Sequence, residues 1–242
     1  MGFRSLHELI KYFMVCAVSF FFLLMFDTTV GQKIVKKLLW IEWARSLQAI
    51  SQTGLNFSEN MYDKERYEQI AKIAAEILAH HTNLSEEQVL ELNASEFGYA
   101  TPKIDVRGVV FEESKILLVR EVEDYGRWTL PGGWADVNET PSQATVREVF
   151  EESGFETQVV KLLAVYDREK QGHTPPFPYH VYKLFFLCKL IGGCAQAHGE
   201  TSDVAFFGEH EIPELSNSRV NEKQLRRFFQ HAKNPEQPTD FD

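Results

Sequence analysis

Glu148, Glu151 and Glu152 stand at i, i+3 and i+4 in a segment that reads as a short helix, so their carboxylates share one face. Like charges at this spacing repel. They also sit near the negative end of the helix dipole, where Lys or Arg would be favoured. A cation must offset that cost, and an all-oxygen donor set selects hard divalent ions such as Mg²⁺ or Mn²⁺. A glycine-rich loop ending at Gly133 precedes the helix. The combination suits a group of divalent metal ions facing a phosphate. Arg147 stands beside the acids and can fix a glutamate rotamer through a bidentate pair, with Glu139 or Glu151 as partner.

The helix that must carry these acids is bounded on both sides. Thr140 is a good N-cap, Pro141 suits the first helical position, and Gln143 completes a capping box. Gly154 is the expected left-handed stop. The helix is therefore expected over 141–153, with Val146, Val149 and Phe150 turned toward a sheet.

The chain has 242 residues, of which 44% are hydrophobic and 25% charged. That is enough for one large domain or a medium domain with a small one. The net charge of −10 argues against nucleic-acid binding, which needs Lys and Arg for phosphate contacts, but is compatible with a small nucleotide held through metal ions. Cys16, Cys188 and Cys194 form no CxxC pair or zinc spacing, and so sparse a set argues against a disulfide framework. The bulk of the chain reads as cytoplasmic. Residues 12–26 are nearly all apolar, with Arg4 and Lys11 before them. This run is short for a membrane span, which needs roughly 20 residues. It reads as a short membrane anchor, a poorly cleaved signal, or a stretch ahead of the true start. Membrane association is expected only through these residues.

Residues 39–94 are expected to be all helical. Leu39, Trp40, Trp43, Leu47 and Ile50 make one stripe, Tyr67, Ile70, Ile73, Ala74 and Ile77 a second, and Ser85 caps a third helix. A block this small has difficulty burying its own stripes and should pack on another domain or a second subunit, which favours a homodimer. Residues 95–102 read as a linker. Strands are expected at 105–111, 115–122, 127–130, 134–137, 156–167, 180–190 and 203–207, and an amphipathic helix at 220–232. Strands interrupted by helices imply an α/β domain over 103–233. Residues 234–242, with two prolines and three acids, are expected to be disordered.

The run from Gly133 through Glu139, Arg147, Glu148, Val149, Glu151, Glu152, Gly154 and Phe155 satisfies every specified position of the Nudix box. The chain thus resembles the Nudix hydrolases. Trp43–Leu55 followed by Tyr62–Ile70 resembles the helical N-terminal domain of a bacterial subgroup acting on nucleoside diphosphates linked to a second moiety X, including ADP-ribose and CDP-choline enzymes. The resemblance covers about residues 39–235 and implies an α/β/α sandwich with a mixed sheet. It implies metal-dependent hydrolysis of a phosphoanhydride, giving a nucleoside monophosphate and phospho-X. Glu148, Glu151 and Glu152 would be the metal ligands, with the Gly133 carbonyl as a further donor. Some family members activate water with a glutamate of the box and others with an acid on a later loop, where Glu200, Asp203, Glu209 and Glu211 stand here. Among the later acids Glu200 is favoured, as an additional metal ligand or the base, because it precedes a segment resembling the penultimate strand.

Substrate identity must come from outside the box. Arg107, Arg120, Arg127 and Arg168 are candidates for phosphate contacts, and Trp128, Trp134, Phe177 and Tyr179 for base stacking. His173, in the loop before Tyr179, has no partner identifiable from sequence and reads as a surface residue. Two other functions compete with the leading one. One is a house-cleaning hydrolase of nucleoside triphosphates or oxidised nucleotides. The other is a nucleotide-sensing module without turnover, whose signature, degenerate box glutamates, is missing here.

Overall fold

The computed structural model describes residues 39–94, 96 and 98–242, so the apolar run at 12–26 and its basic flank lie outside the described residues. The described chain divides into two compact units with the boundary after Gly98.

The first unit is helical. Helix α1 covers 39–57, α2 Met61–His81 and α3 Glu86–Ala94. Asn60 caps α2 by accepting from the Tyr62 N–H, and Ser85 exchanges bonds with Gln88 at the start of α3. Trp40, Ile41, Ala44, Ala75, Leu78 and Val89 form a small closed core. The expected α1 stripe divides. Trp40 points inward, whereas Trp43, Ile50 and Phe57, spaced by seven, are 59%, 54% and 66% exposed. Among the described residues, no helix is long and apolar enough to cross a membrane.

The second unit is a mixed sheet between two helices. Its strands are β1 (Lys103–Glu112), β2 (Lys115–Glu121), β3 (Trp128–Thr129), β4 (Phe155–Asp167), β5 (Val181–Gly193), β6 (Thr201–Phe207) and β7 (Asp240–Phe241). The order is β3-β2-β1-β5-β4-β7, with β6 also paired to β2. Helix α4 (Pro141–Ser153) covers one face, through Ala144 and Val149 against Val106, Val110, Leu117 and Cys188. Helix α5 (Glu222–Lys233) covers the other, through Leu225, Phe228 and Phe229 against Val109, Ile116, Leu118 and Phe185. Alternate residues of each central strand thus enter opposite cores, as a sheet covered on both sides requires.

One departure from regular pairing creates the site. β1 and β2 pair only at their hairpin end, Phe111 with Ile116 and Glu112 with Lys115. Toward its start β1 parts from β2, and the segment after β3 takes its edge instead. The N–H groups of Gly108 and Val106 donate to Pro131 and Gly133, and the Ala135 N–H to Ile104. The strand expected at 134–137 is therefore only a single bridge, Asp105 with Trp134. The segment lies along β1 for a few bonds and then turns away toward α4.

The tail also differs from expectation. Residues 240–241 add a parallel strand to β4. Arg227 closes on the Asp240 carboxylate at 2.5 and 2.7 Å, and His231 lies 2.9 Å from it. Composition showed an acidic, proline-containing end. It could not show that Arg227 and His231, one turn apart on α5, would meet an acid there, or that the edge of β4 was open to a partner.

Candidate active site

The splayed start of β1, the end of β2, the Gly132–Gly133 turn and the last turns of α4 enclose a cavity of about 880 Å³. Helix α4 runs over the expected residues. Thr140 and Gln143 form the capping box, and Gly154 ends the helix at φ 72°. The face turned to the sheet is Ala144, Thr145 and Val149 rather than Val146, Val149 and Phe150. Phe150 is 50% exposed and lines the cavity, because at 100° per residue it cannot share a direction with Val149.

Glu148, Glu151 and Glu152 all line the cavity, joined by Glu121 and Glu200. Glu152 is the most enclosed of the three helix acids, and its Oε2 accepts from the Gly132 N–H at 2.9 Å. Burial pushes its carboxyl up to about 8, against the pull of Arg107. Glu148 is raised by burial as well, opposed by Arg147. Arg147 pairs with both expected partners. Its Nε lies 3.0 Å from Glu139, and its Nη1 reaches Glu148 at 2.9 Å and Glu151 at 2.8 Å.

Cationic and aromatic groups line the cavity as well. Asp105 holds Arg107 in a fork at 3.0 and 2.7 Å and Lys183 at 2.6 Å. Burial alone would raise the Asp105 carboxyl, but the two cations outweigh it and hold it at about 2. Trp134 lies nearly parallel to Phe177, centroids 6.3 Å apart and planes at 26°, with Arg168 over the Phe177 ring.

Among the described residues, no three Asp, Glu, His or Cys side chains are gathered closely enough to chelate an ion as they stand. Glu148 and Glu151 are drawn to Arg147 instead. The donors nevertheless fit a hard cation. They are all oxygens, and the Oε2 of buried Glu121 has no hydrogen-bond partner. At Gly133 a Cβ would stand 2.9–3.0 Å from the Glu148 carboxylate, in the space a ligand would share. The Gly133 carbonyl accepts from the Val106 N–H at 2.8 Å.

Of the residues singled out from sequence, Arg107, Gly133, Trp134, Glu148, Glu151, Glu152, Arg168, Phe177 and Glu200 line the cavity. Tyr179 packs edge-on to Phe177 without lining it. Arg120, Arg127 and Trp128 are placed elsewhere. Arg120 donates to the Gly126 carbonyl, Arg127 pairs with Glu214 and Asp124, and Trp128 packs edge-on to Phe207. His173 is buried rather than a surface residue. Its Nδ1 lies 3.0 Å from the Asn217 carbonyl and its Nε2 3.0 Å from the Gln224 amide, tying the loop that carries Phe177 to α5. Sequence reasoning missed Asp105, Glu121, Lys183 and Arg219. The available signal was a charge inside an otherwise apolar strand, as Lys183 is between Val181 and Phe185.

Comparison with known proteins adds to this geometry. Residues 101–229 match the model described as NUDIX domain, and residues 39–92 match the one described as UDP-X-like, N-terminal oligomerisation domain. The chain is 44% identical over 203 residues to "Putative ADP-ribose pyrophosphatase YjhB" of Bacillus subtilis (strain 168), covering 84% of this chain and 97% of that protein. A crystal structure of a UDP-X diphosphatase is 32% identical, with a TM-score of 0.54, covering 85% of this chain and 99% of that one. The crystal structure of an ADP-ribose pyrophosphatase from Streptococcus suis 89-1591 is 37% identical, with a TM-score of 0.53, covering 59% and 100%.

Proposed function

The chain belongs to the Nudix hydrolase family, and on that premise we propose that it cleaves the diphosphate bridge of a nucleoside diphosphate linked to a second moiety, of the ADP-ribose or CDP-choline type. The products are a nucleoside monophosphate and phospho-X. The observation that carries this reading is one cavity lined by a glutamate cluster together with cationic and aromatic groups. Such a cavity suits a substrate with a diphosphate in the middle and different chemistry at each end.

Members of this family generally use divalent cations. Here Glu148, Glu151 and Glu152 would hold Mg²⁺ or Mn²⁺, with the Gly133 carbonyl as a further donor. When bound, such ions neutralise phosphate charge and lower the pKa of water. The chain's own groups do the rest. Arg147 holds Glu139, Glu148 and Glu151 together, so Glu148 and Glu151 would have to leave it to serve as ligands, while Glu139 could keep it in place. Gly132 holds the Glu152 carboxylate in place through its N–H. Glu200 accepts the proton of the attacking water. Its backbone is fixed beside β2 by the bond from the Val122 N–H to its carbonyl. Trp134 and Phe177 offer flat apolar surface to a base. The setting proposed for this chemistry is the cytoplasm.

Substrate class is checked by comparing kcat/KM for ADP-ribose, CDP-choline, UDP-sugars, dGTP and 8-oxo-dGTP. A diphosphate with two different ends is expected to be turned over at least about tenfold more efficiently than either triphosphate, a difference of roughly 1.4 kcal/mol. A kcat/KM for dGTP or 8-oxo-dGTP well above every diphosphate-linked substrate would refute this reading and favour a house-cleaning role.

The N-terminal helices are proposed to form a homodimer interface. Trp43, Ile50 and Phe57 line up along α1, and Met61, Tyr62 and Ile73 of α2 are also exposed. Light scattering on a chain beginning at Gln32, which lacks the apolar run, is expected to give the mass of two chains at micromolar concentration. A single-chain mass would contradict it.

A further inference from the structure

On the cavity floor two cations, Arg107 and Lys183, share the carboxylate of Asp105. The Arg107 fork already closes on Asp105, and its Nη1 donates to the Leu130 carbonyl at 3.1 Å. Lys183 is therefore a second cation on one carboxylate. Its side chain is 2% exposed, and its Nζ lies 2.6 Å from Asp105 Oδ1. That bond uses one of the three donors of an ammonium, and Lys183 lines the cavity. Burying an ammonium is costly unless acceptors meet its donors. Consistent with this, burial, reinforced by Arg107, pushes the Lys183 ammonium down to about 7 despite Asp105.

Register places this group beside the aromatic pair. Lys183 faces Asp105 across the parallel β1–β5 ladder, and Asp105 bridges to Trp134 on its other side. Lys183 and Trp134 thus flank Asp105 in one row, two inter-strand spacings or roughly 10 Å apart. Lys183, Trp134 and Phe177 all line the same cavity.

We propose that Lys183 forms a subsite for an acceptor oxygen of the nucleotide, next to the Trp134–Phe177 platform and separate from the glutamate wall. It is a specificity-determining residue within the nucleotide-hydrolase reading, on which this inference rests. Three parts of a nucleotide offer such an oxygen: a ring carbonyl, which uracil and cytosine have and adenine lacks, a ribose hydroxyl, or a phosphate.

Calorimetric titration of the full chain with UMP, AMP and ribose 5-phosphate separates these cases without turnover. Lys183→Met keeps most of the stem and removes the charge. Lys183→Gln keeps a donor and serves as the second variant. The Met variant is expected to bind UMP at least about tenfold more weakly than the unsubstituted protein, the scale of a lost charge-assisted bond, with partial recovery in the Gln variant. Loss for UMP with AMP unchanged assigns the oxygen to the base, and equal loss for all three ligands assigns it to the ribose phosphate they share. Unchanged affinities in both variants, whatever their Tm, would overturn the subsite and leave Lys183 a structural partner of Asp105. If the unsubstituted protein binds none of the three ligands, the nucleotide reading fails, and the subsite with it.

Discussion

Glu152→Gln is expected to lower kcat by roughly two to three orders of magnitude while the protein stays folded. Glu152 is the helix acid most enclosed by the cavity, and its Oε2 takes the Gly132 N–H. A Gln oxygen can accept the same bond, so the turn keeps its anchor. Burial already favours the protonated, neutral form of this carboxyl, which a Gln amide replaces at similar size. What it deletes is a negative oxygen donor for a cation. Because burial holds this carboxyl at about 8, a cation must displace a proton to bind there. Cation affinity is therefore expected to rise as pH climbs toward 8. Circular dichroism with steady-state kinetics checks the first claim. Near-normal turnover in a folded Gln variant would remove Glu152 from the metal site.

Gly132→Ala is expected to destabilise the protein by about 3 kcal/mol or more, a fall in Tm of roughly 6 °C or more. The residue has φ +145°, and an added Cβ would stand 2.1 Å from the Val106 carbonyl oxygen and 2.8 Å from the Arg107 Cα. Both obstacles are backbone of the central strand and cannot swing aside. Activity should fall as well, since the Gly132 N–H positions Glu152. Gly133→Ala is the informative contrast. Its Cβ would meet only the flexible end of Glu148, at 2.9–3.0 Å. That variant should stay close to normal Tm yet lose activity, because the side chain it displaces is a proposed ligand. Thermal melts of the two variants side by side test this. Equal stability would contradict the account of the turn.

Much of this was legible in the chain. Thr140, Pro141, Gln143 and Gly154 encode the boundaries of α4 by local chemistry alone, and the structure has the helix over Pro141–Ser153. The short apolar runs in β1, β2 and β5 encoded strands, and the box encoded the family. What stayed hidden depends on distant partners. His173 was unreadable because its two bonds come from Asn217 and Gln224. Asp240 was unreadable because Arg227 and His231 define its place. Lys183 and Asp105 lie far apart in sequence and meet only through the β1–β5 register. Arg127 and Trp128 looked available to a substrate, but a neighbouring loop and β6 claim them.

The central claim is cation-dependent hydrolysis of a diphosphate bridge at the glutamate wall. Phosphorus NMR of ADP-ribose and CDP-choline incubated with the full chain tests it most directly, with Mg²⁺ and again with excess EDTA. The account predicts that the diphosphate resonances give way to two monophosphate esters in Mg²⁺ and persist in EDTA. Unchanged diphosphate in Mg²⁺, or equal conversion in EDTA, would contradict it.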